Sequence, residues 1–347
     1  MLQTKYFTNK KLLSQDVGYY TPILTRVREA RQRFHKWADT LPEEVRQTVS
    51  RMCQGNQETL PGSLVGERDA FWLGECVNAS EESQLIAALG SITGYGYFLH
   101  QDDVVDGEAS TVRRTELARN FLYAKLLESF QKITPSNDSF WDYWNQYLKE
   151  YTKGLLFEDV ETKIPRPYSR NDDNLIFVAA RSAPVKICAS SLALSSGKYQ
   201  EIPRIEKGIE QLTIGLQFRD DLTDCLEDFL RGNYTPVVNR LIGTGQPSLL
   251  VLKKAALYTN AIEELVDEST WWLRKASETL GLYAEISLQK YIEHLSTQND
   301  FIKFQVRHVK GGMSLPKEFS NPKTYLSIQE AYFWDKIYEV IQPRIEY

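Results

Sequence analysis

From Ser80 to Asp106, and again from Glu201 to Leu230, the chain keeps apolar helical spacing without an internal break and then turns abruptly acidic. Pro203 sits in the first turn of the second run, where a proline has no helical hydrogen bond to lose. Runs of this length exceed what a strand uses, about ten residues at most. Breakers are scarce elsewhere too: 19 glycines and 13 prolines in 347 residues, together about 9% against an ordinary usage of about 12%. Val27, Ala30, Arg31 and Phe34 share one helical face, and Pro42 marks a turn within the helical stretch from Val17 to Cys53. Further helices are expected over Thr115 to Phe130, Phe140 to Lys153, Asp173 to Ser196 with a kink or break at Pro184, Gln246 to Leu280, Tyr283 to Gln305, and in a Tyr- and Trp-rich tail from Ser327 to Tyr347. No repeat of fixed period and no Gly/Ser- or Pro-rich linker divides the sequence. The expectation is a single all-α domain spanning 1–347.

Charge and cysteine usage narrow the function. With 41 basic against 46 acidic residues the net charge is −5, so no overall positive field recommends nucleic acid or an anionic membrane surface as a partner. Cys53, Cys76, Cys188 and Cys225 form no CxxC pair, which reads as reduced thiols in a cytoplasmic protein. The opening MLQTKYFTNKKLL lacks the apolar core of a signal peptide, and the apolar stretch Leu85 to Leu99 is too short and too punctuated by Gly and Ser to span a bilayer.

The acidic ends of the two runs carry the chemistry. In HQDDVVDGE, Asp102, Asp103 and Asp106 lie at about 0°, 100° and 40° around a helix axis, within about 6 Å of rise. They crowd the last helical turn, where the macrodipole disfavours negative charge. In QFRDDLTDCLEDFLRG, Asp220, Asp224 and Asp228 recur four residues apart and form one stripe, with Asp221 beside it. Like charges at this spacing repel by a few tenths of a kcal/mol per pair, about 0.2–0.5. All these donors are hard oxygens with no His or Cys nearby, which selects Mg²⁺ over zinc or iron. Magnesium takes only one or two carboxylates and completes its shell with water and substrate phosphate, so a phosphorylated substrate is implied. Arg113 and Arg114, one loop beyond the first cluster, and Arg181 and Lys186, upstream of the second, are candidate diphosphate ligands.

DDVVD followed by an arginine pair, and QFRDDLTDCLEDFLRG about 115 residues later, resemble the DDxxD and FQxxDDxxD motifs of the trans-isoprenyl diphosphate synthases, within the class I terpenoid synthase superfamily. The resemblance runs from about Leu85 to Arg240. It implies an all-α orthogonal bundle around a central cavity, a homodimer, and an allylic diphosphate held through three Mg²⁺ ions by both motifs. Asp102, Asp103 and Asp106 match the first motif, and Asp220, Asp221 and Asp224 the second. Gln217 matches the motif glutamine, and Arg113 and Arg114 the arginine pair, set two residues further from the aspartates than is usual.

Departures from the motif set bear on the reaction. Where chain-elongating relatives carry a GGKRxRP-like segment that binds isopentenyl diphosphate, this chain reads LPGSLVGERDAFW, without the lysine. The usual Lys-Thr pair before the second motif reads Arg181-Ser182, which resembles the diphosphate-sensing arginine of terpene cyclases. Asp220, Asp224 and Asp228 also occupy the ligand spacing of the cyclase motif (N/D)DxxSxxxE, and Arg307, followed by His308, is a loose match to the downstream cyclase Arg-Tyr pair.

The resemblance thus implies a terpene synthase: Asp102, Asp103, Asp220 and Arg181 promote diphosphate departure, and the carbocation left behind is cyclised or quenched. Tyr95, Tyr97 and Phe98 would wall the cavity and steer the cation by cation–π attraction, worth about 2 kcal/mol when desolvated. In the resembling elongases, bulky groups four and five positions before the first aspartate, here Phe98 and Tyr97, shorten the chain accepted. The alternative reaction is prenyl transfer to isopentenyl diphosphate or another acceptor. A non-catalytic partner subunit is the third reading, disfavoured because a silent subunit gains nothing from mutually repelling carboxylates.

Overall fold

The computed structural model describes residues 10–53, 65–105, 113–134, 138–166, 174–244, 246–281 and 287–312. They form thirteen α-helices, a short 3-10 turn at Tyr199–Glu201, and no strand among the described residues. In chain order the helices are α1 (Lys10–Ala38), α2 (Glu43–Cys53), α3 (Val65–Val77), α4 (Glu81–Val105), α5 (Arg113–Ile133), α6 (Asp138–Glu161), α7 (Asn174–Ala180), α8 (Ala183–Ser195), α9 (Ile202–Arg231), α10 (Pro236–Ile242), α11 (Leu249–Tyr258), α12 (Ala261–Leu280) and α13 (Ser287–Gly312). The all-α expectation holds. The chain divides into two compact units, one comprising Met1–Tyr143, Ile187–Ile202 and Leu282–Tyr291, the other Trp144–Lys186, Pro203–Gly281 and Ile292–Tyr347. Each unit gathers separated stretches of sequence.

In the first unit α4 is the central element, packed against α1, α2, α3 and α5. Its apolar residues are spread around the axis rather than along one stripe, as a helix covered on several sides requires. Glycine lets α5 come close: a Cβ at Gly90 would stand 3.0 Å from the Phe130 ring, and one at Gly94 3.1 Å from Leu126. The α1 stripe of Ile23, Val27, Ala30, Phe34 and Ala38 is buried. Arg26 ties three helices, donating to Glu75 Oε1 on α3 at 2.8 Å and to Gln84 Oε1 on α4 at 2.8 Å.

In the second unit Ile214, Phe218, Leu222 and Cys225, spaced four, four and three residues apart on α9, pack into a core with α10, α11, α12 and α13. At Gly215 the helices α9 and α12 meet: a Cβ there would lie 3.0 Å from the Leu273 side chain and 3.1 Å from its backbone nitrogen. The helix α9 ends at Gly232, whose φ of 74° lets Asn233 N donate back to Asp228 O at 2.8 Å.

The interruptions are instructive. Expected at Pro184, the break falls at Arg181 and Ser182, and Pro184 takes its place in the first turn of α8. The stretch Gln246 to Leu280 is two helices, because Thr259 Oγ1 accepts from Ala261 N at 3.1 Å and opens a local turn between α11 and α12. Thr235 caps α10 by accepting from Val238 N at 3.3 Å, ahead of Pro236. The tail from Ser327 to Tyr347 lies outside the described residues.

Candidate functional site

Taking the α9 core face as reference, the stripe Asp220, Asp224 and Asp228 stands about 100° around the axis, so packing one face delivers the acids to another. Asp221 lies between the two faces and is buried, its Oδ1 accepting from Gln217 Nε2 at 2.7 Å. This bond gives the motif glutamine a present partner: it orients the Asp221 carboxylate. Asp220 is open to solvent, yet the protein crowded around it raises its pKa, an effect the Arg181 charge partly offsets. Burial, with the charges of Asp220 and Glu227 adding to it, lifts the half-buried Asp224 to about 6, against the opposing pull of Arg231. Within the second unit Arg181 thus acts on Asp220, and Asp220 in turn on Asp224. The break between α7 and α8 is what presents Arg181 there, since Pro184 prevents a continuous helix.

Lys186 is placed differently. It is 3% exposed and donates to Glu150 Oε2 at 2.8 Å and Glu210 Oε1 at 2.8 Å. Burial works against its charge, but the two carboxylates outweigh burial and hold the ammonium above its usual value. Beside it Tyr147 OH donates to Glu206, whose carboxyl is raised by burial. Arg307 is exposed on α13.

The first cluster belongs to α4 of the first unit. Asp102 and Asp103 fall in its last turn, which contains no basic residue. Their side chains, with those of Arg113 and Arg114 at the start of α5, and the whole of Asp106, lie outside the described set. Just before them, Phe98 is buried and Tyr95 and Tyr97 are half-buried. Tyr97 meets Phe98 edge-on at 5.0 Å and Tyr123 at 5.0 Å, and the Arg119 guanidinium stands 5.4 Å over its ring.

Among the described residues, no group of three or more His, Cys, Asp or Glu side chains converges to hold a metal by itself. A pair of one-face carboxylates four residues apart is nevertheless the donor set that suits Mg²⁺, which takes one or two carboxylates and leaves the rest of its shell to water and phosphate. No described helix is long and apolar enough to cross a membrane.

Sequence reasoning passed over three polar groups that the fold draws inward. Arg219, adjacent to Asp220, bonds along α13, and Asn299 lies fully buried beside it. Asp69 on α3 is also buried, and desolvation pushes its carboxyl well above the ordinary range. The arginine inside FRDD was a visible signal. Asn299 and Asp69 offered none.

The helices assemble as an all-α fold of the isoprenoid synthase type. Among solved structures the chain is similar to a geranylgeranyl pyrophosphate synthetase from the archaeon Geoglobus acetivorans, with a TM-score of 0.64 at 17% identity, over 80% of this chain and 98% of that one. At that identity the likeness is one of fold. No protein-family model matches the chain, and no curated protein matches it in sequence.

Proposed function

We propose that the chain is a Mg²⁺-dependent enzyme acting on an allylic prenyl diphosphate, and that it transfers the prenyl group to isopentenyl diphosphate or another acceptor. The observation that carries this is the α9 stripe. Asp220 and Asp224 present hard-oxygen charge on one helix face beside Arg181, in a fold like that of a geranylgeranyl pyrophosphate synthetase. When bound, the magnesium ions, three by the sequence resemblance, neutralise the departing diphosphate and lower the barrier to carbon–oxygen cleavage. Asp220 and Asp224 would hold these cations, with Asp221 oriented by Gln217 and Asp228 continuing the stripe. Arg181 binds diphosphate oxygens and stabilises the negative charge that develops on them. Asp102, Asp103 and Asp106 belong to the same reading, with Arg113, Arg114 and Arg307 as further diphosphate ligands and Tyr95, Tyr97 and Phe98 as cavity wall. Lys186, compensated by two carboxylates, serves first to fix Glu150 and Glu210. A homodimer and a cytoplasmic location complete the reading.

A second reading, terpene synthesis without an acceptor, is favoured by the residues at the start of α3. Where an acceptor diphosphate would need cations, the sequence GERD offers the buried Arg68 but no lysine, and Asp69 beside it is buried and desolvated. Incubation with C10, C15 and C20 allylic diphosphates and Mg²⁺, with and without isopentenyl diphosphate, separates the two. Longer diphosphates formed only with the acceptor support transfer. Hydrocarbons or alcohols formed equally without it support the synthase, and no consumption of any substrate rejects both.

A further inference from the structure

Arg219 precedes Asp220 in sequence, yet on the helical wheel of α9 it stands about 140° from Asp224. Its guanidinium reaches along α13: Nη1 donates to the Leu295 carbonyl at 3.1 Å and to Asn299 Oδ1, and Nη2 donates to Gln298 Oε1 at 2.9 Å. Asn299 is 0% exposed. Its Nδ2 donates to Ser269 Oγ at 3.2 Å and Thr270 Oγ1 at 2.9 Å on α12. Ser269 Oγ in turn donates to the Gly215 carbonyl at 2.7 Å, which brings the chain of bonds back to α9 one turn before it left.

The orientation of each group follows from proton count. Arginine has only donors, so the Asn299 oxygen must face it. The Ser269 and Thr270 hydroxyl protons are already given to the Gly215 and Val266 carbonyls, so both hydroxyls can only accept from the Asn299 amide. The closed loop therefore has one hydrogen-bonding solution. Apolar packing between helices is non-directional and permits small rotations; these bonds are directional and do not. Rotation of α9 about its axis is the motion that would let the self-repelling stripe turn further into water.

We propose that Arg219 and Asn299 are positioning residues that fix the rotation of α9, and hence the direction in which Asp220 and Asp224 meet a divalent cation and its diphosphate. This rests on the functional reading above. The test is calorimetric titration of Mg²⁺ into the full-length protein in the presence of inorganic diphosphate, alongside the thermal midpoint of each metal-free variant. Asn299→Ala is expected to weaken Mg²⁺–diphosphate binding about 10–100-fold, the range for residues that orient metal-holding groups. Arg219→Lys, which keeps the charge but loses the fork, is expected to weaken it in the same direction without emptying the core. Asn299→Asp keeps an oxygen toward Arg219 but loses the amide donor that Ser269 and Thr270 accept, so it is expected to weaken binding in the same direction as Asn299→Ala. Ile262→Ala, in the same core but outside the loop, should lower the thermal midpoint and leave binding unchanged. Unchanged binding in Asn299→Ala and Arg219→Lys, or an equal loss in Ile262→Ala, overturns the proposal while the functional reading stands. A wild-type protein that binds no Mg²⁺–diphosphate overturns that reading and this proposal with it.

Discussion

Carboxylates kept for a cation should weaken the protein when the cation is absent, and Asp224 makes that quantitative. Its pKa moves from the usual 3.8 to about 6, through burial first and then the Asp220 and Glu227 charges. At 1.36 kcal/mol per pH unit this corresponds to about 3 kcal/mol. Asp224 is partly open to water, and screening reduces the figure to about 1–2 kcal/mol. Because the folded protein binds this proton more tightly than the unfolded chain, the contribution to stability is complete below about pH 4 and is lost as the pH rises through about 6. Asp224→Asn cannot ionise. In EDTA at pH 7.5 its urea midpoint should lie above that of the wild type, by an amount equivalent to about 1–2 kcal/mol, and the two should converge at pH 4. Added Mg²⁺ and diphosphate should reverse the order, since a ligand at about 100 times its dissociation constant stabilises the wild type by about 2.7 kcal/mol. An Asn variant less stable than wild type in EDTA at pH 7.5, or a gain that persists at pH 4, would refute the reasoning.

Asp69→Asn is expected to stabilise the protein at pH 8 by about 1.4 kcal/mol for each pH unit by which burial raises the carboxyl, with the gain fading toward pH 4; denaturant titrations across that range check it. Lys186→Met should destabilise by about 3–5 kcal/mol, because Glu150 and Glu210 are left partly buried without their cation; Glu210→Gln on the same background should recover part of the loss in chemical denaturation. Gly215→Ala should lower stability by about 1–3 kcal/mol, since the new methyl meets the Leu273 backbone nitrogen, which cannot step aside as a side-chain tip can.

The long helices are legible because their apolar periodicity is local: the spacing starts α9 at Glu201 and ends it at Leu230, and the helix runs Ile202–Arg231. Splits without glycine or proline are not. Between α11 and α12 the chain turns on the Thr259 hydroxyl, and threonine also sits inside helices of this chain, as Thr93 and Thr152 do, so the residue type alone marks no break. The acidic stripe was legible for the same reason as the helices, since four-residue spacing fixes a face before any packing is known. Its supports were not, because Arg219, Asn299 and Ser269 come from three helices and only the tertiary fold joins them. Lys186 shows the limit from the other side. As a charge in sequence it fitted a diphosphate, and only the fold supplies Glu150 from 36 residues away and Glu210 from 24.

The most direct test is the release of inorganic diphosphate from geranyl, farnesyl and geranylgeranyl diphosphate, followed with Mg²⁺, with EDTA, and in Asp224→Ala and Asp103→Ala, each with and without isopentenyl diphosphate. Release that requires Mg²⁺ and is lost in both variants is the expected result. Release that continues in EDTA or in Asp224→Ala, or none from any of the three substrates with the wild-type protein, would contradict the account.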